Sequence, residues 1–533
     1  MPARRPRLVA AAADNALAAS LAALHAQLEL PGPFDPAVIA EADAASRDVR
    51  PVPGDGLADL RDMEFLTIDP EGSRDLDQAL HLERTPGGGI LHYAIADVPA
   101  FVAPEGAVDA SARARGQTLY AVDGRIPLHP TVLSEGAVSL FADQDRRAFV
   151  WRFELDERAE PTRTSLTRAI VRSRRQWSYA DAQHAVDDGS APPSLAALPW
   201  FGAQRALREQ ERGGASLNSP ETEVEAVDGT YRLQRRATLP IEDWNAQVSL
   251  LTGMAAAKIM LDGGVGILRT MPAADDEDVA AFRAQTVALG MPWAEGVPYG
   301  EYLRGLHGDD AATLAVREAA TSLFRGAGYD AFDGAPPAQT LQSAIAAPYA
   351  HTTAPLRRLV DRWSLVVCEA LANGRDVPAW ARESLAELPK IMGRSDQLAS
   401  RLENASLDRV EAALLHGQEG QAFDGVVLGH RGDGARVQLT GPLVSVKVEG
   451  LDAAPGSTVR LRLQRADIPT GEIVLVPAGA DAGGAVSDPA GPRPKRGDLT
   501  TRGPNTPDPS SPGAIPSPEP RNTPGTGSAG AAR

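Results

Sequence analysis

The apolar residues of this chain change rhythm twice, and the order of those rhythms restricts what it can fold into. Between residues 60 and 175 they come in short β-branched or aromatic runs, Phe65–Ile68, His92–Val98 and Phe149–Leu155, bounded by Gly, Pro and Asp. From Ile241 the spacing turns helical, over 241–262, 276–289, 309–326, 355–373 and 393–416. Residues 421–477 return to short strands: Phe423–Leu428, Ala435–Leu439, Leu443–Val448, Val459–Gln464 and Ile473–Val476. Strands followed by helices predict an α+β core rather than alternating βα units. Five short strands in so little chain predict a small OB-like barrel, or another small β-domain. Glu221–Val227 and Thr230–Gln234, joined by Asp228-Gly229, read as a hairpin. Two helices, Ala16–Leu28 and Pro36–Ala45, flank a Pro-Gly-Pro break near the start.

These rhythms divide the 533 residues into a helical segment (1–55), an α+β region (56–420), the barrel (421–478) and a tail (479–533). The tail has no aromatic residue and is dense in Pro, Gly, Ser and Thr, so it cannot bury enough apolar area to offset ordering entropy; it is expected to be disordered and solubilising. Net charge is −17, the opposite of a generally basic nucleic-acid binder. A channel can still be locally basic, because only the local field steers a ligand. Only four Lys are present, so the positive charge is nearly all Arg, whose planar fork suits phosphate. Cys368 is the single cysteine, which excludes a disulfide framework within the chain and reads as a small buried hydrophobe. The apolar run Leu8–Ala13 stops at Asp14, too soon for a secretory signal, and no apolar stretch reaches membrane-spanning length. The cytoplasm and a monomer are the expectations.

The chemistry concentrates in Thr67-Ile68-Asp69-Pro70-Glu71-Gly72-Ser73-Arg74-Asp75-Leu76-Asp77-Gln78-Ala79. Asp69 ends an apolar strand, and a Pro/Gly/Ser turn brings back Asp75 and Asp77. Residues two apart in extended chain point the same way, so Asp75 and Asp77 can face one point that Asp69 completes. Such oxygen ligands suit Mg²⁺ or Mn²⁺. Read alone, the segment fits a polar turn equally well. A second segment, Tyr349–Arg362, carries adjacent Arg357 and Arg358 after Pro355 at an expected helix start. There a phosphate would meet a helix N-terminus and a guanidinium; a solvated Arg-rich helix is the alternative.

Together the two segments resemble the RNB-domain exoribonucleases, the ribonuclease II and ribonuclease R family, whose "TIDP…DxDD" and "SPIRRYxD" motifs match Thr67–Ala79 and Thr353–Asp361. Ile95-Ala96-Asp97-Val98 is similar to the family's "IADV" strand, Thr118-Leu119-Tyr120 to its "TxY", and Ile241-Glu242-Asp243-Trp244 to its "VEE" helix start. The resemblance covers about residues 60–370. It implies an RNB catalytic domain, a mixed sheet surrounded by helices, with an S1-like partner in the C-terminal barrel. It further implies 3′→5′ hydrolysis of single-stranded RNA to nucleoside 5′-monophosphates. Asp69, Asp75 and Asp77 would hold Mg²⁺ (or Mn²⁺) and the attacking water. Asp75, Asp77 and Arg357 would carry the catalysis, Arg357 by neutralising the scissile phosphate. Tyr120 would stack on a base and set the final product length. Glu242 would contact a ribose, and Arg358 would join the RNA-binding set; otherwise Tyr120 is an ordinary half-buried aromatic and Glu242 a helix-start acid.

Four departures stand out. The fourth acidic position is Gln78, an uncharged amide that could still offer an oxygen to the metal. The "SPIR" stretch is Ala354-Pro355-Leu356-Arg357, the histidine before "IADV" is Ala94, and the helical N-terminus is too short for two cold-shock barrels. The alternatives are a non-catalytic RNA-binding relative, which Gln78 favours, and an unrelated metal-dependent hydrolase of small molecules. The His residues show no HxH or HExxH pairing, and no GxxxxGK[ST] loop is present, which argues against a zinc hydrolase and a nucleotide-driven motor.

Overall fold

Strand β1 (Ala58–Asp69) ends in Phe65-Leu66-Thr67-Ile68, all buried, as befits a strand covered on both faces. In the computed structural model, which describes residues 15–52, 56–215, 221–227, 230–236, 238–308 and 310–479, this strand closes a barrel. The other staves are β2 (Gln78–Thr85), β3 (Gly88–Ala96), β6 (Asp145–Leu155) and β7 (Pro161–Ser178); the short pair β4 (Leu119–Ala121) and β5 (Gly124–Ile126) lies in the excursion between β3 and β6. Neighbours are antiparallel except at the seam, where β1 runs parallel to β7 from Ala58↔Ala169 to Asp69↔Ser178. The mixed sheet is thus a closed one. Alternate residues serve two cores: Tyr93, Ile95, Phe149 and Trp151 enter one, Ala94, Ala96, Ala148 and Val150 the other.

The central helix Pro240–Gly263 packs on Leu198–Arg212 and Leu359–Ala372. Gly202 permits the first of these contacts, since a Cβ there would lie 2.0 Å from the Trp244 ring. Cys368 is fully buried against Ala256, as expected. Smaller pairs complete the region: β8 (Glu221–Val227) with β9 (Thr230–Arg236), β10 (Val265–Thr270) with β11 (Gly328–Asp333), and β12 (Leu341–Gln342) with β13 (Ala347–Pro348). The expected Asp228-Gly229 turn lies outside the described residues, as do 480–533 of the expected tail.

The C-terminal unit is a five-stranded antiparallel sheet, β14 (Ala422–Arg431), β15 (Gly434–Leu439), β16 (Ser445–Glu449), β17 (Thr458–Asp467) and β18 (Glu472–Pro477), in the order β16-β15-β14-β17-β18. Its edges β16 and β18 approach each other, which nearly closes it in the manner of an OB or S1 barrel. Leu17 and Leu21 of the helix Asn15–Gln27 enter its core, and Ser20 Oγ donates to the Ile468 carbonyl at 2.8 Å. The first N-terminal helix is therefore docked on this sheet, whereas the second, Pro36–Asp48, packs against the helix Ala107–Arg115 of the α+β region. The helix expected at 355–373 begins only at Leu359, because residues 354–357 form a tight turn of their own. Among the described residues no helix is long and apolar enough to cross a membrane.

Candidate active site

Asp69 sits where β1 ends. The next turn is closed by Ser73 N donating to Pro70 O at 3.1 Å, with Gly72 at φ 75°, a conformation that favours glycine. The returning segment is pinned from three sides. Gln176 Nε2 donates to Ser73 O at 2.8 Å, Ser139 Oγ donates to Arg74 O at 2.6 Å and accepts from Leu76 N at 3.0 Å, and Ala96 N donates to Asp77 O at 2.9 Å. Leu76 is fully buried, so Asp75 and Asp77 flank an apolar anchor.

The turn after Thr353 meets this segment across the fold. Leu356 N donates to Asp77 Oδ1 at 2.7 Å, and Arg357 Nε lies 3.8 Å from Asp77 Oδ2. Ala354 N donates to Asp361 Oδ1 at 2.7 Å, Gln78 Nε2 to Thr353 O at 2.6 Å, and Thr118 N to Arg357 O at 2.9 Å. Arg357 is thus aimed at the aspartates by a fully tethered backbone, not by a helix N-terminus. Arg358 is turned the other way, into a two-pronged ion pair with buried Asp361 at 2.5 and 2.8 Å. That pairing raises its pKa further against the opposing pull of burial, and makes its visible role structural.

The β4–β5 hairpin brings in the third part. Tyr120 is paired across it with Arg125, so their side chains share a face. Arg125 holds Asp75 through one guanidinium nitrogen and Glu135 at 2.7 Å through another, and Arg74 approaches Glu135 at 3.4 Å. Burial pushes the Tyr120 phenol pKa up, while Arg357, Asp75 and Asp77 all act on it, so Tyr120 belongs to the cluster. Sequence reasoning missed Arg125 and Glu135. The signal for Arg125 was Asp123-Gly124, a hairpin marker one residue from Tyr120's strand.

Glu242 has a different setting. It is the third residue of its helix, accepts from Leu239 N at 2.9 Å, and receives both prongs of Arg236 at 2.7 and 3.1 Å. This is the helix-start role, one of the two readings its position allowed. The same helix touches the end of β1, where Asn245 Nδ2 donates to Ile68 O at 3.5 Å. Asp97 of the "IADV" strand is fully buried between Arg168, at 2.8 Å, and Arg147, at 3.5 Å.

Burial dominates the electrostatics. It pushes the Asp69 carboxyl up to about 7; the Asp75 charge adds to the rise, while the Thr67 hydroxyl and Arg357 oppose it. Burial likewise raises Asp77 well above the ordinary range, against Arg357 and the Leu356 N–H. Asp69 Oδ2 is buried without a hydrogen-bond partner. Two dry carboxylates short of positive charge, one with an orphaned oxygen, fit a hard divalent cation. Among the described residues no three acidic, His or Cys side chains converge into a complete cage, since Asp75 is turned to Arg125. The seat therefore suits an ion that takes most of its shell from water and phosphate.

The RNB domain family model matches residues 57–371, and the model of the RNase II-type exonuclease C-terminal S1 domain matches 421–478. Ribonuclease R of Escherichia coli (strain K12) is 26% identical over 427 residues, 74% of this chain and 52% of that protein. Exosome complex exonuclease RRP44 of Homo sapiens is 31% identical over 208 residues, 38% of this chain and 22% of that protein. The chain thus spans about half or less of these curated relatives. Among solved structures, Mycoplasma genitalium RNase R in complex with ribose methylated single-stranded RNA superposes with a TM-score of 0.78 at 17% identity, covering 87% of this chain and 78% of that one. Yeast Ssd1, a pseudonuclease, superposes at 0.61 with 16% identity, covering 80% and 57%. At such identities the structural likeness speaks for the fold alone. With the RNB domain spanning more than half of its length and the S1 domain following, this chain belongs to the RNB-domain exoribonuclease family of ribonuclease II and ribonuclease R.

Proposed function

We propose that the protein is a metal-dependent 3′→5′ exoribonuclease that degrades single-stranded RNA to nucleoside 5′-monophosphates. The observation that carries this reading is that three distant segments bring Asp69 and Asp77, Arg357, and the Tyr120–Arg125 hairpin with its partner Asp75 into one neighbourhood. Asp69 and Asp77 would hold Mg²⁺, or Mn²⁺, with Asp75 beside them. The ion when bound supplies charge to the phosphate and acidifies a water. Arg357, aimed by its tethered turn, neutralises the charge that grows on the phosphate as the water oxygen bonds to phosphorus and the 3′ oxygen leaves with a proton. Tyr120 offers a stacking face for a terminal base. Purified protein incubated with 5′-labelled single-stranded RNA tests this. A ladder that shortens from the 3′ end with Mg²⁺ and stops with EDTA is expected; an intact substrate in Mg²⁺ and in Mn²⁺ would sink it.

A second reading, an RNB fold that binds RNA without cutting it, is favoured by one observation. Gln78 stands at the fourth acidic position and spends its amide on Thr353 O. In that case the labelled RNA is bound and recovered whole.

A further inference from the structure

We propose that Gln78 is a positioning residue for Arg357, acting through the Thr353 carbonyl, rather than a ligand in the metal seat; this deepens the proposed RNA hydrolysis and rests on it. Gln78 opens β2, where pairing with Ile95 fixes its backbone. Its amide nitrogen reaches Thr353 O at 2.6 Å, across 275 residues of sequence. The acceptor is a carbonyl, so only the NH₂ end of the amide can face it. The preceding residue, Asp77, accepts from Leu356 N at 2.7 Å. Two successive side chains therefore grip one turn with opposite polarity, the amide donating to the carbonyl just before it and the acid accepting from an N–H three residues on. Thr118 N closes the far end by donating to Arg357 O at 2.9 Å. Thr353 is buried, so its carbonyl loses a donor it cannot readily replace if the amide goes.

This gives the departure from the family a physical sense. An aspartate at 78 has no N–H to offer, is one methylene shorter, and sets a negative charge against a carbonyl oxygen. The acid expected there would release the turn that Gln78 holds, so Gln78→Asp should impair the enzyme rather than improve its metal site.

The test uses the full chain with Gln78→Met, Gln78→Asp, Arg357→Ala and the Gln78→Met/Arg357→Ala double variant. Four readouts are taken: Mn²⁺ binding without RNA, amide hydrogen exchange over residues 353–358, thermal midpoint, and kcat and KM on one RNA. Gln78→Met is expected to bind Mn²⁺ like wild type, exchange the turn amides at least several-fold faster, and lose about tenfold in kcat with little change in KM. Added to Arg357→Ala it should cost nothing more, because it acts through that arginine. Gln78→Asp should be at least as slow as Gln78→Met. Weakened Mn²⁺ binding in Gln78→Met, unchanged exchange of the turn, multiplying losses in the double variant, or a Gln78→Asp faster than wild type would each overturn the proposal. A wild type inert on RNA would remove the hydrolytic reading instead, and Mn²⁺ binding and exchange would still decide the clamp.

Discussion

The two five-stranded units of this protein use charge in opposite ways. In the C-terminal sheet the ion pairs are mostly at the surface: Arg460–Asp424 at 2.8 Å, Lys447–Asp433 at 2.7 Å, and Arg465–Glu472. Its strands follow one another through short connections, and its core is apolar, built around Val427, Val437, Leu439, Leu461 and Leu463. The closed barrel has a long excursion, residues 97–144, between β3 and β6, and around it charge is buried. Asp77, Asp97, Asp109, Asp361 and Arg362 are all inaccessible or nearly so, and arginines face the acids. Burying charge costs stability unless every partner is in place, so a region that does it repeatedly is organised for something other than stability. One unit is built to fold, the other to hold charged groups where water is scarce.

The largest effect should come from breaking a buried pair beside the catalytic turn. Asp361→Ala leaves the Arg358 guanidinium and Ala354 N–H unpaired, and is expected to cost about 3–5 kcal/mol of stability together with most activity. Denaturant unfolding measures it, and a loss near 1 kcal/mol would show the pair to be peripheral. Asp77→Asn should leave the fold intact, because an amide oxygen can still accept from Leu356 N. It should lower kcat by at least about 10²–10³-fold while RNA affinity stays within a few-fold. Wild-type turnover in this variant would end the case for the aspartate site.

Tyr120→Ala is expected to remove about 1–3 kcal/mol of base stacking, which changes the length of the limit oligonucleotide rather than cleavage itself. An unchanged endpoint on a sequencing gel would put Tyr120 outside the RNA path.

The smallest effect sharpens the comparison from the other side, at Glu411, a buried acid where the helix Leu388–Leu415 meets the C-terminal sheet. Burial pushes Glu411 up to about 7, opposed by the Ser445 N–H, which donates to it at 3.1 Å. A carboxyl raised on folding binds its proton more tightly in the folded state. Its contribution is therefore intact below about pH 4.5, the ordinary glutamate value, and is lost as pH rises through about 7. Glu411→Gln keeps the acceptor without the charge, and should raise stability by roughly 1–2 kcal/mol at pH 8 and by nothing at pH 4. Melting curves at the two pH values check it; an equal shift at both would assign the effect to packing.

Much of the fold could be read from local pattern. The helices Pro240–Gly263 and Asp276–Ala288, and all five C-terminal strands, fall where periodicity put them to within a few residues. No apolar run marks strand β7, because arginines at 163, 168, 172, 174 and 175 interrupt its apolar positions; Arg163 and Arg172 pair with β6, and Arg168 with Asp97 just beyond β3. The displaced helix start at Leu359 has a similar cause: Pro355 opens a turn, and side chains from elsewhere hold that turn open. In the site, the three aspartates and Arg357 stand out by residue type and spacing, which left a polar turn and a solvated helix equally open, and Tyr120 stands out only through the resemblance. Glu242 and Arg358 carry the same kind of signal, yet both are engaged by neighbours within the protein.

What the sequence determined by itself is therefore what short-range physics controls. Strand and helix periods and the glycine turn after Asp69 follow from backbone sterics and the alternation of side chains. The tertiary structure decided which charges meet. It brought Arg125 to Asp75, gave Arg362 to Asp109, and set Gln78 against Thr353 O instead of among the acids. A side chain's type states what it can bond to, but its partner is chosen by the chain segment that packing brings within about 3 Å, and hydrogen bonds reach no further.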